Sequence, residues 1–100
     1  MRWLADKDGN EFVLYDETWR HIRKFHPEIT SVEIIESILL DPDVIMKSSW
    51  DPESVLYYQR HGHLYRIVVV NIVEQRIKTT LTERKIKEGE ILWLHPKLLR

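Results

Sequence analysis

Two histidines, His21 and His26, are the side chains of this sequence best suited to move a proton. Imidazole is the one ordinary side chain that gains and loses its charge near neutral pH, which makes it the natural general acid or base. Both lie in the segment following Asp16. At 100° per residue, Trp19, Ile22 and Phe25 form an apolar arc, while Arg20, Arg23 and Lys24 gather on another side. His26 falls within the arc and His21 at its rim. A packing role is open to both: a ring hydrogen-bonded to backbone, or for His26 a cap on the negative helix end. The rim position of His21 favours chemistry, because a side chain there can be held by packing and still reach a substrate.

A second grouping, His61-Gly62-His63, raises a metal reading with His21, His26 or His95 as further ligands. It sits in an expected turn with no carboxylate nearby in sequence, which is poor ligand spacing for zinc. The chain has no cysteine, so disulfides, thiolate nucleophiles and Cys-based zinc sites are excluded. With three glycines it has no phosphate-cradling loop of the Walker or Rossmann kind, and no Gly-x-Ser-x-Gly elbow. The reading is therefore of a site with no metal and no cofactor.

The strands offer a third set. With Glu74-Gln75 as a two-residue turn, Val68, Val70, Ile72, Ile77, Thr79 and Leu81 share one apolar face. Gly62-His63 as a type II′ turn pairs Arg60 with Tyr65 and Tyr58 with Ile67. The open face then carries Tyr58, Arg60, Tyr65, Lys78, Thr80 and Thr82. Aromatics beside cations and hydroxyls suit single-stranded nucleic acid, stacking bases and holding phosphates. A merely solvated outer face is the plain alternative. A one-residue slip replaces this set by Arg66 and Thr79.

These residues need elements to position them. The 100 residues suffice for one domain with a real core, and 43% of them are apolar. Residues 1–15 read as a short ribbon around Asp8-Gly9. Residues 17–26 read as a helix capped by Asp16 and stopped by Pro27. Residues 31–40 read as a second helix, with Thr30 and Glu33 at capping-box spacing. Residues 44–94 read as strands with a helical turn near Glu83–Lys87. The expected class is α+β: two N-terminal helices packed on one face of a four- to five-stranded antiparallel sheet. Residues 1–54 carry six Lys/Arg and twelve Asp/Glu, whereas residues 55–100 carry nine and four, so the second half can present a basic surface. Charge interrupts Met1-Arg2-Trp3-Leu4-Ala5-Asp6, and no apolar run exceeds four residues, the length of Ile67–Val70. A cytoplasmic protein with no targeting segment and no membrane partner is expected.

The stretch Trp19-Arg20-His21-Ile22-Arg23-Lys24-Phe25-His26-Pro27-Glu28 resembles the Trp-x-His-Ile-x-x-x-His-Pro-Glu signature of small phage-associated and polymorphic-toxin nucleases of the barnase–EndoU–colicin–RelE-like superfamily. The resemblance continues through the Ile38, Pro42 and Ile45 region, Tyr57-Tyr58, Thr79-Thr80 and Lys85–Trp93, covering about residues 12–94. Relatives often read Thr-Ala-Tyr where this chain reads Thr79-Thr80-Leu81, so any role of that tyrosine does not carry over. The resemblance implies a metal-independent endoribonuclease acting on RNA, with a cognate antitoxin or immunity protein as a partner. It implies attack of the RNA 2′-hydroxyl on its own phosphorus. On that reading His21 is the acid/base group, His26 its partner, Arg60 the phosphate clamp and Thr80 a donor to a phosphate oxygen. Tyr58, Tyr65, Lys78 and Thr82 then line the RNA path, with Arg66 and Thr79 in place of Arg60 and Thr80 if the register slips. The alternative is a catalytically inactive RNA- or protein-binding module of the same fold, or a structural protein whose histidines only pack. An enzyme needs His21, an arginine and a threonine to converge in one cleft.

Overall fold

Asp6-Lys7-Asp8-Gly9-Asn10 reverses the chain because Gly9 takes a positive φ of 86° and the Asp6 carboxylate accepts the backbone N–H groups of Asp8 and Asn10. In the computed structural model, which describes residues 1–99, this loop joins β1 (Arg2–Ala5) to β2 (Glu11–Leu14) as an antiparallel ribbon. Helix α1 (Asp16–Phe25) follows at once. Asp16 is its first residue rather than its cap, and its carboxylate takes the N-terminal ammonium at 2.6 Å. Pro27 ends α1. Helix α2 spans Val32–Leu40 with Ser31 at its N-cap and no side-chain capping bond. Five strands complete the order: β3 (Val44–Ser48), β4 (Ser54–His61), β5 (Leu64–Asn71), β6 (Arg76–Glu83) and β7 (Gly89–Leu94). A 3₁₀ turn occupies Pro96–Leu99. The Glu83–Lys87 stretch is not helical; Glu83 ends β6, and residues 84–88 run as an irregular strap.

The expected four- to five-stranded antiparallel sheet is overturned. The sheet has seven strands in the order β1-β2-β6-β5-β4-β3-β7, and β2 lies parallel to β6 at Val13 and Arg76, so it is mixed. A two-stranded ribbon is marginal by itself, and this one carries Leu4, Phe12 and Leu14, all buried. It hides them by joining the sheet edge, with the Val13 N–H donating to Gln75 O at 2.9 Å. At the far edge β7 pairs antiparallel with β3. Gly89 is required there, because a Cβ would collide with the Lys47 carbonyl. The α+β class itself stands. Ile22 of α1 and Ile35, Ile38 and Leu39 of α2 pack on Val55, Tyr57, Val68, Val70 and Ile77 of the sheet.

Register is where sequence and structure part. The β4–β5 hairpin is as anticipated: Arg60 faces Tyr65 and Tyr58 faces Ile67. Gly62 has φ 63° and, among the described non-glycine residues, only Gln75 has a positive φ, which is the sign pattern of a II′ turn. The β5–β6 turn is not Glu74-Gln75 alone but Ile72–Gln75. Asn71 Oδ1 accepts the N–H groups of Val73 and Glu74, winding an Asx turn that adds two residues. Asn71 then faces Arg76 and Val70 faces Ile77. A bulge at Lys78 sets Val69 against Thr79, Val68 against Thr80 and Arg66 against Thr82. Thr80 and Thr82 therefore lie on the helix-covered face, and Thr79 and Leu81 on the other.

That other face is not open either. Val44, Met46, Tyr58 and Ile67 form a second buried cluster, with Leu81, Leu94 and Ile86 of the strap packed against it. Among the described residues no helix is long and apolar enough to cross a membrane.

Candidate active site

The loop leaving α1 is fixed from three directions. Pro27 cannot continue the helix. Arg23 Nη1 donates to the carbonyls of Pro27 and Ile29 at 2.7 and 2.9 Å. The Ile29 side chain is fully buried. Between these anchors Glu28 is held against β6, and its Oε2 accepts a 2.8 Å hydrogen bond from Thr82 Oγ1. The same oxygen lies 3.9 Å from His26 Nδ1. Thr82 in turn stands opposite Arg66 on β5. Arg66 Nη2 lies 3.2 Å from His61 Nε2. A guanidinium can only donate, so in this arrangement the His61 Nε2 is an unprotonated acceptor.

His26, Glu28, Thr82, Arg66 and His61 thus form a polar row at the hairpin end of β4 and β5, joined by side-chain contacts at either end and by strand register between Thr82 and Arg66. It holds a carboxylate, two imidazoles, a hydroxyl and a guanidinium. His26 is half-buried, and Nδ1 faces Glu28, which directs Nε2 elsewhere. Such a set can donate and accept protons at its two ends and grip a phosphate by a bidentate fork between them.

The other residues singled out in the sequence are placed differently. His21 is exposed, with its ring 4.5 Å from that of Phe25, beside a shallow pocket of about 300 Å³ shared with Tyr15, Thr18 and Lys78. Among the described residues no arginine lines that pocket. Arg60 lies on the opposite sheet face, its guanidinium 5.3 Å over the Tyr65 ring and its Nε donating to Gly62 O. Thr80 is fully buried, and its Oγ1 has no hydrogen-bond partner. Tyr58 is fully buried under the strap, with its hydroxyl accepting the Lys87 N–H. Lys78 is tied to Asp51 Oδ2 and Ser54 Oγ at 3.0 Å each. The hydrogen bonds from Ser54, the Glu53 backbone and Lys78 bring the Asp51 carboxyl down to about 2. Thr79 faces Val69 on the strap-covered side.

His21, Arg60 and Thr80 therefore share no cleft, while His26, Arg66 and Thr82 lie in one row. Glu28 and His61 complete that row and had no catalytic role in the sequence reading. Glu28 was legible in the His26-Pro27-Glu28 string. His61 was visible only as half of a metal pair, and among the described residues no three His, Asp or Glu side chains cluster as metal ligands. Compared with known proteins, the chain matches no family model, no curated protein and no solved structure.

Proposed function

We propose that the chain is a metal-independent endoribonuclease whose chemistry is carried by the row His26, Glu28, Thr82, Arg66 and His61. The observation that supports this most is the shared Glu28 oxygen, which faces His26 and is bonded to Thr82, the strand partner of Arg66. Arg66 takes two oxygens of an RNA phosphate, while Thr82, its one proton given to Glu28, holds the carboxylate that orients His26. A phosphate drawing the Arg66 fork away frees His61 Nε2, which accepts the 2′-hydroxyl proton. The 2′-oxygen then bonds to phosphorus, and the P–O5′ bond breaks with its electron pair going to the leaving oxygen. His26, oriented by Glu28, supplies the proton that the leaving oxygen takes. Arg66 offsets the charge gathered on the phosphorane. The products are a 2′,3′-cyclic phosphate and a free 5′-hydroxyl.

The test is incubation of the purified protein with total RNA in EDTA, with analysis of the product ends. Fragments ending in 2′,3′-cyclic phosphate are expected. Intact RNA, or cleavage seen only after adding a divalent metal, overturns the reading and leaves a binding module of the same fold.

A further inference from the structure

At the other end of β4 and β5 the same sheet face holds a separate cavity of about 420 Å³. Val55 lines it and Arg66 belongs to the row above. Val55 faces Val70, four residues along β5 from Arg66, so the two sites are about 13 Å apart along the strand. The walls are apolar and aromatic: Ile45, Val55, Tyr57, Leu92 and Trp93. Asp8 and Glu11 stand among the remaining lining residues, and among the described residues no Lys, Arg or His lines the cavity. The buried Asp6 carboxylate adds a fixed negative charge beneath, accepting the Tyr57 hydroxyl at 2.5 Å.

One group of the chain shows what this wall accepts. Lys7 Nζ lies 4.1 Å from the centroid of the Trp93 ring, while bonded to Asp8 at 3.0 Å. An ammonium over an indole face with a carboxylate beside it is a cation–π arrangement. Here it is made by a lysine of the loop that forms the cavity rim. The cavity beside it offers an apolar slot for a stem and Glu11 for a second charge.

We infer that this cavity is a binding site for an amphipathic organic cation: an ammonium or guanidinium group at the end of an apolar stem. The stem lies along Ile45, Val55 and Leu92, and the head sits between Trp93 and the Asp8 and Glu11 carboxylates. Lys7, which does not itself line the cavity, is the internal competitor for the Asp8 carboxylate. The chemistry is shared by a free arylalkyl amine and by a Lys or Arg side chain presented by a partner peptide. A phosphate-bearing ligand is repelled here, so the site is distinct from the RNA row, and the inference does not rest on the proposed nuclease reading.

The experiment is titration of the full chain with 2-phenylethylammonium, followed by the indole N–H signals in ¹H–¹⁵N spectra. Controls are uncharged 3-phenylpropanol, anionic 3-phenylpropionate and an acetylated, amidated Leu-Lys-Leu peptide. Saturable shifts of the Trp93 indole are expected with the ammonium and absent with the anion. Trp93→Leu and Glu11→Gln each weaken binding about fivefold, the scale of one exposed cation–π or charge contact. Lys7→Gln tightens it by a similar factor, because the competitor is gone. That gain is a result which a merely damaged fold does not give. Binding by the peptide but not the free amine assigns the site to a partner chain, and comparable binding by both assigns it to a small molecule. Equal binding of the ammonium, the alcohol and the anion overturns the inference. So does the absence of saturable shifts in both the wild type and Lys7→Gln.

Discussion

Thr82 Oγ1 donates to Glu28 Oε2 across 2.8 Å, tying the loop after α1 to the sixth strand of the sheet. Sequence places these residues far apart, yet this bond brings Glu28, which faces His26 at the end of α1, onto the strand partner of Arg66. It sets the position of the proposed chemistry, and the first prediction follows from it.

His26→Ala should lower RNA cleavage about 10²–10⁴-fold, the usual loss for a general acid. His21→Ala should stay within a few-fold of wild type, since His21 is exposed and its ring only leans on that of Phe25. Initial rates on a fluorescent oligoribonucleotide check this. The opposite ranking returns the chemistry to the α1 rim.

Arg66 and Arg60 give a matched pair of strand arginines on opposite sheet faces. Arg66→Ala should cost about 10²–10³ in rate, comparable to removing one preorganised donor to a developing charge. Arg60→Ala should leave the rate nearly unchanged. RNA binding should weaken with salt at a log–log slope of about −0.7 per phosphate contacted, and Arg66→Ala should flatten that slope.

Thr80→Val separates burial from catalysis. Thr80 Oγ1 is buried with no hydrogen-bond partner. Replacing it by a methyl of similar shape removes an unsatisfied group and should stabilise the fold by about 1 kcal/mol. Denaturant unfolding measures the gain, and the cleavage rate should not change. A large loss of rate identifies Thr80 as a donor to substrate.

The Asp6–Tyr57 bond predicts an acid limb of stability. Burial works against ionised Asp6, but hydrogen bonds from Tyr57, Asn10 and the backbone of Asn10 and Asp8 outweigh it and hold its carboxyl below the ordinary 3.8. The folded state thus binds the Asp6 proton less readily than the unfolded chain. This contribution is fully present above about pH 4 and is lost as pH falls through the lowered folded value. Tyr57→Phe leaves Asp6 with one donor fewer and should cost about 1–3 kcal/mol at neutral pH. It should also shrink the stability change between pH 4 and pH 2, measured by urea unfolding.

The helices, the hairpin at Gly62 and the strand order from β3 to β6 were legible because local signals decide them: Pro27, the apolar spacing of Ile34, Ile35, Ile38 and Leu39, and the turn at Gly62-His63. The ribbon was legible as a ribbon, but its docking was not. Nothing local in Val13 names Arg76 as its neighbour. The β5–β6 register was lost to one side chain, since Asn71 winds the turn two residues longer than a minimal hairpin. The bulge at Lys78 shifted it once more. Those two events decided which threonines meet the helices, so the candidate site moved while its residue types stayed. His26, Arg66 and Thr82 were in view from the sequence. Their convergence required the register.

The parallel junction at Val13 and Arg76 also sets an order of assembly. Strands β4, β5 and β6 close through short turns, whereas β2 reaches β6 only by closing a loop through both helices and three strands, and long closures cost more chain entropy. In a chain made from its N-terminus, the ribbon and α1 are complete while the edge they need has not been synthesised. Leu4, Phe12, Leu14 and Ile22 then wait without a core. The ribbon is made before the strands that bury it, and during that interval it is the part of the nascent domain most open to proteases and to pairing with other chains.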